Sequence, residues 1–347
     1  MKAVFVLAAL VIVPIFAVAQ NEPLQPLVLV KTIEIPDVPL GPYADHPTVD
    51  VKARRVYATT QAHKSVKVFD LDSGRELHDI LGIKNPHSVF LRPDLDTVFI
   101  TDGGVGELKV YRGHDYELHK TIKLELNADG TRYDPETKLL YVANGGKDAN
   151  LDYSLLSIID TTTAEKIGDI KFPAQALEAI AFETNSPRSY VNLTDKNQVA
   201  VFDRRTRKII DIWTLTKGHK NLPIALDERH HRLFVGCRNT EQSGAIIVID
   251  TRTGKEIDSL PITGWVDELA YDTKRKRIYA SCGKGPDGVG SLFAFQEDDS
   301  GNYRLAGNPA TAPMAKAGTF VPELDLFVVD VPHNELTTSK VLIFKVQ

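Results

Sequence analysis

One short pattern returns along almost the whole chain. "LLYVANGG" at 139–146 is matched by "RVYATT" (55–60), "TVFITDGG" (97–104), "RSYVNLTD" (188–195), "RLFVGC" (232–237), "RIYASCG" (277–283) and "DLFVVD" (325–330). The aromatic residue of each copy serves as an anchor: Tyr57, Phe99, Tyr141, Tyr190, Phe234, Tyr279 and Phe327. Successive spacings are 42, 42, 49, 44, 45 and 48 residues. A period in the forties belongs to propeller blades or to helical arrays.

The flanking residues decide between the two. After most anchors comes a short apolar run such as "SVKVFD" (65–70), "LLSIIDT" (155–161), "QVAVFD" (198–203) or "AIIVIDT" (245–251). These runs are rich in β-branched residues and are bounded by turn residues, which is strand chemistry without a helical period. A turn follows each: "DLDSGRE", "DTTTAEK", "DRRTRK" or "DTRTGKE". Its leading Asp offers an acceptor to the turn amides. A fourth strand then begins, as in "ELHDIL" (76–81) or "KIIDIWTL" (208–215), and another short strand precedes each anchor. Four antiparallel strands per unit cannot bury both faces alone, whereas units packed radially can. The expected fold is all-β, a seven-bladed β-propeller of four-stranded antiparallel blades over residues 27–347. The last blade runs out of chain after "KVLIFKV" (340–346). "LVLVKTIEIP" (27–36) is expected to supply its missing strand and close the ring, removing two exposed edges.

At "LLYVANGG…LLSIIDTTTAEKIGDI" and "AIIVIDTRTGKEIDSL" the chain resembles the YVTN family of bacterial and archaeal extracytoplasmic β-propellers. Arg112 and Gln296 stand where that family's repeat has Asp, and "YVAN" (141–144) is the nearest approach to its signature. The resemblance implies a fold and a compartment, with motif residues that pack between blades and cap turns. It implies no single activity, since related propellers host binding proteins, dehydrogenases, lyases and lactonases.

The N-terminus agrees with export. Lys2, the apolar run 3–18 and the small-residue site "AVA" (17–19) predict a signal peptide over 1–19, followed by a leader over 20–26. The mature protein is expected to be secreted or periplasmic, monomeric, and without a transmembrane segment. A formal charge of −5 provides no blanket attraction to nucleic acid, and the basic turns "RHHR" (229–232) and "KRKR" (274–277) read as solvated. Cys237 and Cys282 fall at equivalent positions of adjacent blades, too far apart for a disulfide, and are expected to be free and buried. Trp213 and Trp265 are expected to pack between blades.

Counting twelve residues back from each anchor gives the starts of the innermost strands: Asp45, His87, Asp129, Glu178, Leu222, Asp267 and Ala315, with Lys316 replacing Ala315 if the last turn is one residue shorter. His46 and Glu268 lie one position further on. Converging on the channel axis, the acids would repel one another, with raised pKa values or a neutralising cation as the result. Asp45, His87, Asp129, Glu178 and Asp267 together would suit a divalent ion such as Ca²⁺ or Mn²⁺. The competing reading is a set of solvated strand caps around a water-filled channel. The loops after each anchor are Gly-, Asn- and Asp-rich and of unequal length, and form a second candidate surface with Lys147, Asp148, Arg238, Lys284 and His333. Two functions follow. One is a non-enzymatic binding or scaffold protein that holds a small molecule or protein on its loop face. The other is a metal-dependent, lactonase-like hydrolase or lyase. The sequence carries none of G-x-S-x-G, H-E-x-x-H or C-x-x-C, which favours binding.

Overall fold

A computed structural model describes residues 25–41 and 43–347; the expected signal peptide and most of the expected leader lie outside the described residues. The chain is all-β, interrupted by 3₁₀ turns at Gln61–His63, Pro93–Leu95, Gly146–Ala149 and Thr194–Lys196. Strands pair antiparallel in chain order. The first sheet is Thr48–Asp50, Arg55–Thr60, Ser65–Asp70 and Glu76–Ile80. The second is Pro86–Arg92, Thr97–Asp102, Glu107–Arg112 and Leu118–Lys123. The third is Thr131–Asp134, Leu139–Gly145, Ser154–Asp160 and Glu165–Phe172, and the fourth Leu177–Phe182, Arg188–Leu193, Gln198–Asp203 and Lys208–Thr214.

A sheet of seven strands follows, running from Asn221–Asp227 to Tyr303–Gly307. Its middle member, Lys255–Asp272, is 18 residues long. Residues 255–263 of it pair with Ser243–Asp250, and residues 264–272 pair with Arg277–Lys284. The final sheet joins the two ends of the chain. Gly318–Val321, Leu326–Val331 and Lys340–Val346 are completed by Leu27–Glu34, which pairs with Lys340–Val346 from Leu27–Val346 to Glu34–Lys340.

The first strand of each sheet touches its counterpart in the next. Thr48–Asp50 contacts both Pro86–Arg92 and Gly318–Val321, and the chain of contacts runs on through Thr131–Asp134, Leu177–Phe182, Asn221–Asp227 and Lys255–Asp272. Ser88 Oγ and Thr131 Oγ1, 2.8 Å apart, link the second sheet to the third. The sheets therefore stand radially around a closed ring.

The anchors account for the packing. All seven are at most 2% exposed, and burying such a side chain stabilises by about 1.5–3 kcal/mol. The apolar clusters straddle neighbouring sheets: Tyr141, Ile158 and Phe172 pack with Val191 and Phe202, and Ile33, Val341 and Val328 pack with Val56 and Phe69 across the seam. The turn acids act as the sequence indicated. Asp70 accepts from the Ser73 amide, Asp160 from Thr162, Asp203 from Thr206 and Asp250 from Arg252. Gln296, in place of the usual Asp, donates its amide to the carbonyls of Arg275 and Lys276. In "LLYVANGG" Asn144 accepts from the Glu125 amide. Gly146 has φ +75, and a Cβ there would sit 2.1 Å from the Gln175 carbonyl oxygen.

Both cysteines are free and fully buried, and burial pushes each thiol up to about 12. The "KRKR" turn is consumed by structure: Arg275 bridges Asp272 and Asp325, and Lys274 reaches Asp325. In "RHHR", His230 Nδ1 lies 2.6 Å from the buried Asp227, and these two approach Glu297. His230 is thus tied to a carboxylate instead of freely solvated.

Candidate functional site at the channel mouth

The innermost strand starts bring the expected residues together. Asp45, which enters ahead of Thr48–Asp50, is fixed through its backbone amide, which donates to Thr59 Oγ1 at 2.8 Å. Asp45 Oδ2 then lies 2.7 Å from His87 Nδ1, in the next sheet. Asp129 Oδ1 lies 3.4 Å from the same nitrogen. Gln61 Nε2 donates to Asp45 at 3.2 Å, and the Asn85 amide faces His87 Nε2 at 2.7 Å. Gly103 makes room for the ring: a Cβ there would lie 2.8 Å from Nε2. His46 bridges the axis, 3.3 Å from Asp45 and 3.4 Å from Glu268.

Asp267 is held by two cations. Arg238 and Lys316 each donate to one of its carboxylate oxygens. Lys316, not Ala315, occupies the ring; Ala315 is fully buried among apolar side chains. Leu222 lines the channel without polar chemistry.

Mutual repulsion of the acids is only partly realised. Five acids (Asp45, Asp129, Glu178, Asp267, Glu268) meet five basic groups supplied by the chain (His46, His87, Arg132, Arg238, Lys316), so the ring carries its own neutralising charge. Burial disfavours ionisation of Asp45, yet His46, Lys316 and His87 together hold its carboxyl well below the usual range. Asp267 is likewise lowered against burial, by Arg238 and Lys316. The expected rise occurs at three of the acids: burial and the Asp129 and Asp267 charges push Glu178 up to about 8, and burial outweighs the neighbouring His87 and His46 to raise Asp129 and Glu268. Burial opposes charge on His87 and His46, but the surrounding carboxylates raise them to about 9 and about 10. The structure sets Asn85 Nδ2 against His87 Nε2, which suits a neutral ring that accepts there; a protonated His87 requires the Asn85 amide turned so that its oxygen accepts.

Asp45, His46 and Asp129 offer ligand atoms within 4.8 Å of one another, a nitrogen and two carboxylate oxygens. This set differs from the sequence expectation: His46 takes the place of His87, and Glu178 and Asp267 stand apart. Two carboxylates with imidazole suit Mn²⁺ better than Ca²⁺.

The aromatic component of the mouth was not anticipated. Trp265 does not pack between sheets as Trp213 does; Trp213 is 8% exposed against Tyr190. Trp265 stacks on Tyr43 at 6.3 Å, with the Arg238 guanidinium 4.9 Å from its ring centroid and Lys316 5.7 Å from that of Tyr43. The cause lies in the unbroken strand Lys255–Asp272, which crosses the rim without a loop and turns Trp265 outward at φ +60. Such a backbone is unusual for a bulky residue and is held by its surroundings. Trp265 Nε1 donates to Glu241, which Lys284 also approaches at 3.3 Å.

Of the loop residues, Arg238 and Lys284 therefore belong to this mouth. His333 has a supporting role: its ring lies 2.5 Å from the Val38 carbonyl, and its own carbonyl accepts from Gly41. These bonds fasten the segment that delivers Tyr43. Lys147 and Asp148 are exposed on Gly146–Ala149 and pair with no channel residue among the described residues.

No protein-family model matches the chain, and no curated protein matches it. Solved structures do. One chain of the crystal structure of a mitotic checkpoint complex is 14% identical with a TM-score of 0.73, the match covering 100% of this chain and 98% of that one. The structure of U3-55K is 12% identical with a TM-score of 0.70, covering 90% and 97%. Kuenenia stuttgartiensis hydrazine synthase is 14% identical with a TM-score of 0.67, covering 83% and 92%. Identities this low speak for the fold alone, and with the radial ring of antiparallel sheets they make the chain a β-propeller.

Proposed function

We propose that the chain is a non-catalytic interaction module that binds a partner on the channel mouth. The observation that carries this reading is the stacked pair Tyr43–Trp265 with Arg238 and Lys316 against its faces. Trp, Tyr and Arg dominate the energetics of protein interfaces because they bury large area and retain a polar handle. The ring beneath is rigid and supplies its own counter-charges, so a partner docks without reorganising it. We count the seven-stranded sheet as two blades sharing Lys255–Asp272, which makes seven blades in all. We place the protein outside the cytoplasm, among YVTN-like propellers, on the strength of residues 1–19 and the repeat.

The test is affinity capture on the full chain followed by cross-linking. Partner cross-links should map to loops 237–244, 282–290 and 330–339. Retention of the same partner by a Trp265→Ala, Arg238→Ala double variant would overturn the reading.

A second reading keeps a divalent ion at Asp45, His46 and Asp129. There the ion would polarise a carbonyl or activate water, with the neighbouring carboxylates as proton acceptors. Against it, His46 and His87 already satisfy these carboxylates. Titration of Mn²⁺ into the metal-free chain decides: one bound ion, lost in Asp129→Asn, would favour this reading.

A further inference from the structure

An aspartate that ends an innermost strand has a repeated task. One of its oxygens accepts a turn amide and the other takes an arginine. Asp134 accepts from the Glu136 amide and from Arg204 Nε at 2.9 Å. Asp272 accepts from the Lys274 amide and from Arg275 at 3.0 Å. Asp227 stands at the same place, seven residues before its anchor as the other two are. Its Oδ1 faces the His230 amide at 3.3 Å, but its Oδ2 meets the His230 ring at 2.6 Å and no arginine.

The position that could supply the arginine carries an acid. Arg204, the partner of Asp134, directly follows Asp203 at the end of a third strand; Glu297 follows Gln296 at the same point of its own unit. A carboxylate therefore stands where another junction has a guanidinium. Asp227 is 2% exposed and Glu297 9%. Neither pairs with a lysine or arginine among the described residues, and His230 is the ion-pair partner of Asp227. Arg232, in the same turn, is committed elsewhere: it donates to the His230 and His231 carbonyls and lies 3.6 Å from Asp250. Tyr271 gives its one hydroxyl proton to Glu297 at 2.8 Å. Two adjacent buried carboxylates that share one imidazole are unfavourable unless a cation joins them. The Tyr303 hydroxyl is a separate sign of a missing ligand. It is buried without a partner, on the residue directly across the ladder from Glu297, and residues so paired project to the same face.

We propose that Asp227, His230 and Glu297 bind a divalent first-row cation, with Zn²⁺ the best match to the donors. The site joins the two halves of the seven-stranded sheet, at the end of Asn221–Asp227 remote from the mouth. The three ligand atoms lie within 4.8 Å of one another. One imidazole nitrogen and two carboxylate oxygens are ordinary Zn²⁺ donors, and the fourth position falls to water or to the Tyr303 hydroxyl. The ion takes the place of the proton between His230 and Asp227, and it supplies the positive charge that Arg204 brings to Asp134. The His230 side chain, 41% exposed, leaves a way in from solvent.

The test uses the full chain stripped with a chelator, and Zn²⁺ alone as the probe. Calorimetry should show one equivalent that disappears in Glu297→Gln and persists in Asp129→Asn, which alters only the channel set. At a hundredfold excess over the dissociation constant, zinc should raise the melting temperature of the parent by about 4 °C. Glu297→Gln should abolish that rise. Zinc bound by Glu297→Gln as by the parent, or not bound by the parent, would overturn the proposal. The unmodified sequence gives an independent readout. Diethylpyrocarbonate should modify His230 in the stripped chain, and zinc should suppress that modification at least about tenfold, the scale on which metal affinity responds to its partners. Modification of His230 at the same rate with and without zinc would be equally fatal.

Discussion

His87 Nδ1 and Asp45 Oδ2 lie 2.7 Å apart across the boundary between the first and second sheets, each side chain about 10% exposed. The contact couples ring closure to protonation. His87 is raised from 6.5 to about 9 and Asp45 is lowered from 3.8. The histidine's contribution to stability is complete below its unfolded value and is lost as pH rises through about 9. The aspartate's contribution is present above 3.8 and lost as pH falls through its depressed value. Glu178 acts in the histidine's direction: its unfolded carboxyl ionises from 4.5 while the folded one keeps its proton to about 8. Thermal stability should therefore be greatest near pH 4–6 and fall by a few kcal/mol towards pH 9, roughly the scale of a shift of two units. In His87→Gln the alkaline decline should shrink without vanishing, because His46 titrates in the same sense. A pH series of melting curves reads this, and an alkaline limb of unchanged depth in His87→Gln would refute the assignment.

Asp330 gives a sharper case of buried charge. It is 1% exposed, and neither carboxylate oxygen has a hydrogen-bond partner. The Thr59 and Val331 amides are near but poorly aligned, and burial holds the group well above 3.8. A carboxyl raised on folding loses stability once pH exceeds its unfolded value, so at pH 7 this residue opposes folding. Asp330→Asn, neutral and nearly the same size, should raise stability at pH 7 by roughly 1–2 kcal/mol and change little at pH 4. Urea denaturation at the two pH values measures the difference.

The two tryptophans should respond oppositely in stability and in binding. Trp213 is core, packed at a tilt against Tyr190 with its Nε1 donating to Asp211 at 2.9 Å. Trp213→Ala should cost about 3–5 kcal/mol. Trp265 is half-buried at φ +60. In Trp265→Gly the relief of left-handed strain, about 1–2 kcal/mol, offsets much of the lost packing. That variant should melt within a few degrees of the parent while losing capture of the mouth partner. A drop as large as that of Trp213→Ala would make Trp265 a core residue after all.

These contrasts show what the sequence carries. The repeat, the anchors, the turn acids and the N-terminal closing strand are legible because they are periodic: a residue that packs or caps in one copy does so in the others. Asp45, His87, Asp129, Glu178 and Asp267 were reachable by the same counting, since the channel is the place where equivalent positions converge. The cations were harder to see. Arg238 reaches Asp267 from the loop of the preceding unit, and Lys316 required a turn one residue shorter than its counterparts. Trp265 is invisible to periodicity. Trp265 sits where two units merge into one strand, so the usual loop that would have marked it as rim is missing.

The closing strand offers the most direct test of the architecture. Leu27 and Ile33 are 1% and 2% exposed, and Ile33 packs with Val341 on one side of the seam and Val56 on the other. A chain that starts after Glu34 would uncover the pairing edge of Lys340–Val346 along its length. Two large buried side chains at about 1.5–3 kcal/mol each, together with the ladder hydrogen bonds, are a substantial share of the 5–15 kcal/mol that typically separates folded from unfolded. The truncated chain should melt markedly lower and associate through the free edge, which templates another strand. A synthetic peptide of residues 25–36 should return it to monomer by filling that edge, whereas a peptide with Ile33→Asp should not. Sedimentation of the truncated chain with each peptide separates the outcomes. A truncated chain as stable and as monodisperse as the parent would mean that the seam is not what holds the ring.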